Sequence, residues 1–168
     1  MQEQTLQHPI DPVYNEKSRI LILGSFPSVK SRETAFFYGH PQNRFWKVLS
    51  QIFEEELPET IPEKKAFLLR NGIALWDVIR SCTITGSSDA SIKNAKPNDL
   101  SPILETAEIQ LIITNGKTAD KLYRKYIEPE INRPAVCLPS TSPANAAWTL
   151  PKLVESWGKT VRQPDIAR

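Results

Sequence analysis

Residues 18–24 read SRILILG, and the four aliphatic side chains Ile20, Leu21, Ile22 and Leu23 decide the fold. An unbroken run of that length, stopped by a glycine, suits a strand buried on both faces rather than one with a wet side. Such strands belong to parallel sheets covered by helices. The pattern recurs at 111–114 (LIIT, stopped by Asn115 and Gly116) and at 135–138 (AVCL, stopped by Pro139), while GIALWDVI at 72–79 reads as a fourth strand with its first loop. Helical periodicity fills the intervals: 43–53, with Phe45, Val48, Leu49 and Ile52 on one face; 63–71, before a Gly72 stop; 100–107, with Asp99 as a cap; 118–126; and 151–157. Strands alternating with helices predict an α/β fold, a three-layer α/β/α sandwich with a mostly parallel sheet of about four strands.

A chain of 168 residues supports one domain, 1–168, burying roughly 70% of its unfolded surface. With 21 Lys plus Arg against 19 Asp plus Glu, the net charge is only +2, so a nucleic-acid partner must be held by a local basic face. Cys82 and Cys137 lie far apart without paired spacing, and the chain has two His, which predicts no zinc, no iron–sulfur cluster and two buried free thiols. The N-terminus lacks an apolar core of signal-peptide length and no segment approaches the ~20 apolar residues of a membrane span. The expectation is a soluble cytoplasmic monomer. The first eighteen residues, with Pro9 and Pro12, and the last nine, with Pro164, read as tails. Residues 80–102 show no periodicity, and a connection of that length is either functional or hides a short helix.

Each strand-like run ends in a polar loop, and the loops carry the chemistry. GSFPS (Gly24, Ser25, Phe26, Pro27, Ser28) offers a tight turn with outward amides, either an anion cradle or a plain strand-ending turn. FYGHPQNRFW at 37–46 gathers Tyr38, a ring able to stack on a planar ligand, His40 held extended by the following proline, and Asn43, either a helix cap or a catalytic carboxamide. Arg44 reads as a surface or phosphate-facing group. Asn115, Gly116 and Lys117 present a carboxamide, a helix N-terminus and a cation, suited to a base edge or a phosphate, or to capping alone. LPSTSPANA at 138–146 supplies Ser140, Thr141, Ser142, Pro143 and Asn145 on a stiff uncharged loop, suited to phosphate contacts or to helix entry. Asp89 in the long polar segment reads as a turn former. No Gly-x-Ser-x-Gly elbow, Gly-Lys-Ser/Thr phosphate loop or Gly-x-Gly-x-x-Gly fingerprint is present, which removes most support for triad hydrolases, nucleotidases and dinucleotide enzymes.

Together GSFPS, FYGHPQNRFW and LPSTSPANA resemble the motifs of the uracil-DNA glycosylase superfamily. HPQNRFWKV is similar to its mismatch-specific uracil/thymine branch, and the combination of GSFPS, GSSDASIKNA, ITNGKTA and LPSTSPAN more closely resembles its hypoxanthine-DNA (deoxyinosine) glycosylase branch. The resemblance runs from about residue 20 to 157. It implies that Gly24, Ser25, Phe26, Pro27 and Ser28 line a base pocket with His40 and Asn115, and that Tyr38 stacks on a flipped base. Ser140, Thr141, Ser142, Pro143 and Asn145, with Lys117, would contact the DNA. Phe26 departs from the mismatch-specific branch, which carries a water-assisting asparagine there, and Asn43 is the expected replacement. The implied reaction is hydrolysis of the N-glycosidic bond of hypoxanthine, or of uracil or xanthine, leaving an abasic site in base-excision repair. It needs no metal or organic cofactor, and Lys117 is the lysine to watch for Schiff-base chemistry. A catalytically silent nucleic-acid-binding module and a small-molecule binder with anion cradles are the competing expectations.

Overall fold

The computed structural model describes residues 2–162, so the tail beyond, with Pro164, lies outside the described residues. In chain order the elements are β1 (Glu3–Gln7), β2 (Ile20–Gly24), α1 (Val29–Thr34), α2 (Phe45–Ile52), α3 (Ile61–Arg70), β3 (Ile73–Asp77), β4 (Ile79–Thr85), a 3₁₀ turn (Asp89–Ser91), β5 (Lys93–Pro97), α4 (Ser101–Thr106), β6 (Leu111–Asn115), α5 (Lys117–Tyr126), α6 (Glu128–Ile131), β7 (Val136–Leu138) and α7 (Leu150–Val161). Four strands form the expected parallel sheet in the order β3-β2-β6-β7. Because β3 lies on one side of β2 and β6 on the other, the winding direction reverses between β2 and β6. At such a reversal the loops leaving the two strands diverge and open a crevice at their carboxyl ends.

Side-chain alternation along β2 builds two cores. Ile20 and Ile22 pack with α2, α3 and α7 through residues such as Phe45, Leu49, Phe67, Leu153 and Trp157. Leu21 and Leu23 point the other way, onto Ile103, Ile112 and Tyr123 and onto Ile79, Cys82 and Ile84 of β4. All four β2 side chains are fully buried, each contributing about 1.5–3 kcal/mol of apolar transfer, so one polar substitution here damages a core.

The opposite face also carries something the sequence reading did not contain. Strands β1, β4 and β5 form a second, antiparallel sheet in the order β1-β4-β5. Residues 80–102 are therefore mostly a hairpin, and residues 3–7 of the supposed tail are an edge strand. The reason for the miss is physical: register shifts in β4 between Ile79 and Ser81 and between Ser81 and Thr83 break the period-2 signal, and β1 has Leu6 as its single large apolar residue. Only Val78 separates β3 from β4, and its N–H bonds to Gly24 O at 2.8 Å, so the chain follows the end of β2 as it changes sheets. Both cysteines are free, Cys82 buried as expected but Cys137 exposed. Among the described residues no helix is long and apolar enough to cross a membrane, and no group of His, Cys, Asp and Glu could hold a metal ion.

Candidate active site

Carboxyl ends of β2, β3 and β6 meet at one cavity of about 380 Å³, within the ~300–1,000 Å³ usual for small-ligand sites. Gly24 lies at its floor. A Cβ there would stand 2.4 Å from Asp77 Oδ1 and 2.9 Å from the Tyr38 hydroxyl, so only glycine lets both polar groups converge. Asp77 pairs with Gly24 in register at the end of β3 and is buried; its Oδ2 accepts from His8 Nε2 at 2.8 Å.

Tyr38 holds a left-handed backbone at φ 53°, and its ring stacks on Phe45 with centroids 4.1 Å apart and planes 22° off parallel. Among the described residues its buried hydroxyl has no hydrogen-bond partner of good geometry. Burial first, and the Asp77 carboxylate second, push this phenol far above the ordinary range against the downward pull of the nearby Asn115 carboxamide, so it stays protonated.

The hairpin tip closes another side. Ser87 Oγ accepts from Val29 N at 2.8 Å, and Arg32 bonds the carbonyls of Pro27 and Gly86, so GSSDAS is strapped onto GSFPS. Ser25 Oγ donates to Asp89 Oδ1 at 2.8 Å. Asp89 is exposed as a residue, yet its carboxylate is crowded by the cleft wall. Desolvation raises its pKa ahead of the opposing Ser25 hydrogen bond, and Asp77 raises it further.

On the opposite wall Asn43 Oδ1 accepts twice, from Phe45 N at 2.9 Å and from Thr141 Oγ1 at 2.9 Å. Thr141 in turn is clasped by Asn115, whose Nδ2 donates to its Oγ1 at 3.0 Å and whose Oδ1 accepts its N–H at 3.1 Å. Asn43 therefore tethers the start of α2 and still has Nδ2 to offer the cavity. Arg44 is no surface group. Its guanidinium donates to the carbonyls of Thr141, Ser142, Asn145 and Trp148, at 3.3, 2.7 and 3.2 Å for the first three, and fixes the whole loop after β7.

Every residue expected at the base pocket lines this cavity: Gly24, Ser25, Phe26, Pro27, Ser28, Tyr38, His40 and Asn115, together with Asn43. Ser28 also caps α1, and His40 is exposed at the rim. Of the expected DNA contacts, Ser140, Thr141, Ser142 and Pro143 line it too, while Lys117 and Asn145 line an adjoining cavity of about 590 Å³. Thr141 is 1% exposed, and its hydroxyl and amide are engaged in the web that joins Asn43 to Asn115. Asn145 likewise turns its Nδ2 onto Ser140 O at 3.0 Å. Sequence reasoning missed His8 and Asp77. The available signal was Asp77 itself, a charge ending an apolar strand; nothing local pointed to His8.

Residues 12–160 match the uracil DNA glycosylase superfamily. A protein from Methanosarcina barkeri (strain Fusaro / DSM 804) named hypoxanthine DNA glycosylase is 38% identical over 108 residues, covering 63% of this chain and 68% of that one. Its namesake from Methanosarcina acetivorans is 36% identical over 135 residues, covering 79% and 84%. The solution NMR structure of a candidate uracil DNA glycosylase from Methanosarcina acetivorans superposes with a TM-score of 0.79 over 95% of this chain and 98% of that one, at 30% identity. With this much of its length matched, and its cleft built at the strand ends where the motifs lie, the chain belongs to the uracil DNA glycosylase superfamily.

Proposed function

We propose that the protein is a monofunctional DNA glycosylase that removes hypoxanthine, deaminated adenine, from DNA by hydrolysing its N-glycosidic bond, with uracil and xanthine as further bases. It would act as a cytoplasmic monomer in base-excision repair. The observation that carries this reading is the convergence of all three motif loops on one cleft at the sheet's reversal point, in a chain 36–38% identical to two proteins named hypoxanthine DNA glycosylase.

The base must first leave the stack, which costs a few kcal/mol and least for a poorly paired lesion. Inside the cleft one face of the Tyr38 ring is covered by Phe45, and the other is offered to the base. As the glycosidic bond breaks, the sugar turns cationic and the departing base anionic, so donors fixed beforehand at the base lower the barrier. One is available on the cleft wall: Asn43 Nδ2. Because Asn43 Oδ1 is doubly engaged, its role is donation to the leaving base rather than acceptance from water. Asp89, held by Ser25, has a second carboxylate oxygen to orient the attacking water. No lysine among the described residues lines this cavity; the scheme is hydrolytic and the product an abasic site.

Incubation with oligonucleotides carrying hypoxanthine, uracil or xanthine, followed by alkaline cleavage, tests the reading. Release of none of them while DNA binding persists would identify a silent binding module. Asn43→Ala should lower the single-turnover rate on the order of 10²–10³ and leave DNA affinity nearly intact. Asn43→Asp keeps the acceptor oxygen and removes the donor, so full activity in that variant would remove Asn43 from the chemistry.

A further inference from the structure

Three of the four tryptophans are pinned by the fold. Trp46, Trp76 and Trp157 each donate the indole N–H to a backbone carbonyl, of Phe37 at 3.2 Å, Ile10 at 3.1 Å and Pro139 at 2.9 Å, and each meets another ring, that of Phe36, His8 and Phe45 respectively. Trp148 is different. Among the described residues its Nε1 has no hydrogen bond and its ring no aromatic or cationic partner, although buried indoles ordinarily find one. It rests against the core beneath α2 and α7 and stays half-buried. The rest of its surface borders open space, for it lines both the 590 Å³ cavity and a third cavity of about 810 Å³ beside α7. The 590 Å³ cavity is continuous with the base pocket, sharing Asp89, Asn115, Ser140 and Ser142 with it. Each outer cavity also carries a lysine without a carboxylate partner among the described residues, Lys117 in the first turn of α5 and Lys152 in the first turn of α7, whereas Lys159 is paired with Glu155 at 3.5 Å.

Resting on the glycosylase reading for the identity of the ligand, we propose that Trp148 is a stacking platform for an unpaired base that flanks the flipped nucleotide, so that the favoured substrate is DNA whose strand is open beside the lesion. The path runs without a break from the base pocket through the adjoining cavity to Trp148 and the groove along α7. An indole face between two free ammonium groups suits a single strand, because every base has a π-face and every linkage a phosphate. A base lying on Trp148 has given up its neighbour in the duplex stack. Paired DNA must therefore open at that point, while a single strand or a bubble is already open. The ring is presented ready for use: Arg44 holds the Trp148 carbonyl together with those of Thr141, Ser142 and Asn145, so little ordering remains to be done on binding. An apolar peptide in the same place would leave both ammonium groups unanswered.

Abasic spacers test the platform, because they keep the phosphates and delete one base at a time. The probe is a single-stranded oligonucleotide whose hypoxanthine nucleotide carries a 2′-fluorine, which disfavours the cationic sugar and so keeps the probe intact, with a spacer at successive positions on either side. With wild-type protein, a spacer at one position should weaken binding about tenfold and spacers elsewhere far less. Trp148→Ala should bind the unmodified probe about tenfold more weakly, and the spacer at that same position should then cost nothing further. Trp148→Phe keeps a π-face and should regain most of both the affinity and the spacer effect. In duplexes, unpairing the bases beside the lesion should strengthen binding to wild type and not to Trp148→Ala. A flat spacer profile with wild type, or a spacer loss as large in Trp148→Ala as in wild type, would overturn the assignment, since a ring that merely supports the loop adds its effect to the spacer's instead of absorbing it. A wild-type protein that shows the spacer pattern yet releases no deaminated base would instead sink the glycosylase reading and leave the platform standing.

Discussion

Tyr38 combines three costs in one side chain: a left-handed backbone for a bulky residue, a buried hydroxyl without a partner of good geometry among the described residues, and a ring committed on one face to Phe45. Strain of this kind persists where the free protein is prepared for a ligand. Tyr38→Phe should therefore stabilise the free protein by about 1 kcal/mol in urea unfolding while leaving base release nearly unchanged, because the stacking face remains. Tyr38→Ala, which also removes the stacking face, should cost ~1–3 kcal/mol in processing. At Asp89 the argument concerns pH. Its pKa is raised, chiefly by desolvation, so the charged form that would orient water accumulates at higher pH than in a free aspartate and the rate climbs as pH rises through the raised pKa. The same raised pKa means that its stabilising contribution is present below the free-aspartate value and is lost as pH rises through the folded one. Asp89→Asn should delete the acidic limb of the pH–rate profile; an unchanged limb would move the water to Asn115.

At the scale of elements, the loop after β7 is rigid because α2 holds it. Arg44 has no carboxylate partner among the described residues and four carbonyls instead, all on residues 141–148. Lysine has one compact ammonium and cannot span them. Arg44→Lys should lower stability by about 2 kcal/mol and release the loop, weakening DNA affinity and turnover together. Hydrogen exchange of amides 140–148 checks the mechanism, since global destabilisation alone would not single out that segment. Asn43 and Asp99 show the same local device: each accepts the backbone N–H two residues on, from Phe45 and Ser101 respectively. Both helices thus begin later than the sequence suggests, because the side chain satisfies the first helical amide from outside.

Across the whole molecule, the parallel sheet was legible because β2, β6 and the core of β3 are aliphatic runs buried on both faces, a pattern that few other structures produce. Cleft loops were legible for a related reason: Gly, Ser and Asn at strand ends have no packing role to hide behind. The second sheet was not, since its register shifts and polar edge strands erase periodicity. The Asp77–His8 pair escaped for a different reason: 69 residues separate its members, and each has an innocuous local setting. That separation has a kinetic consequence. β1 pairs with β4 in a register running from Glu3 opposite Thr85, a contact of high sequence distance whose loop-closure entropy delays it relative to local helix formation. On a ribosome His8 is made early and docks late. In refolding from denaturant, far-UV ellipticity should return before base release does, leaving a short-lived compact species that is nearly complete in secondary structure yet unable to recognise its substrate.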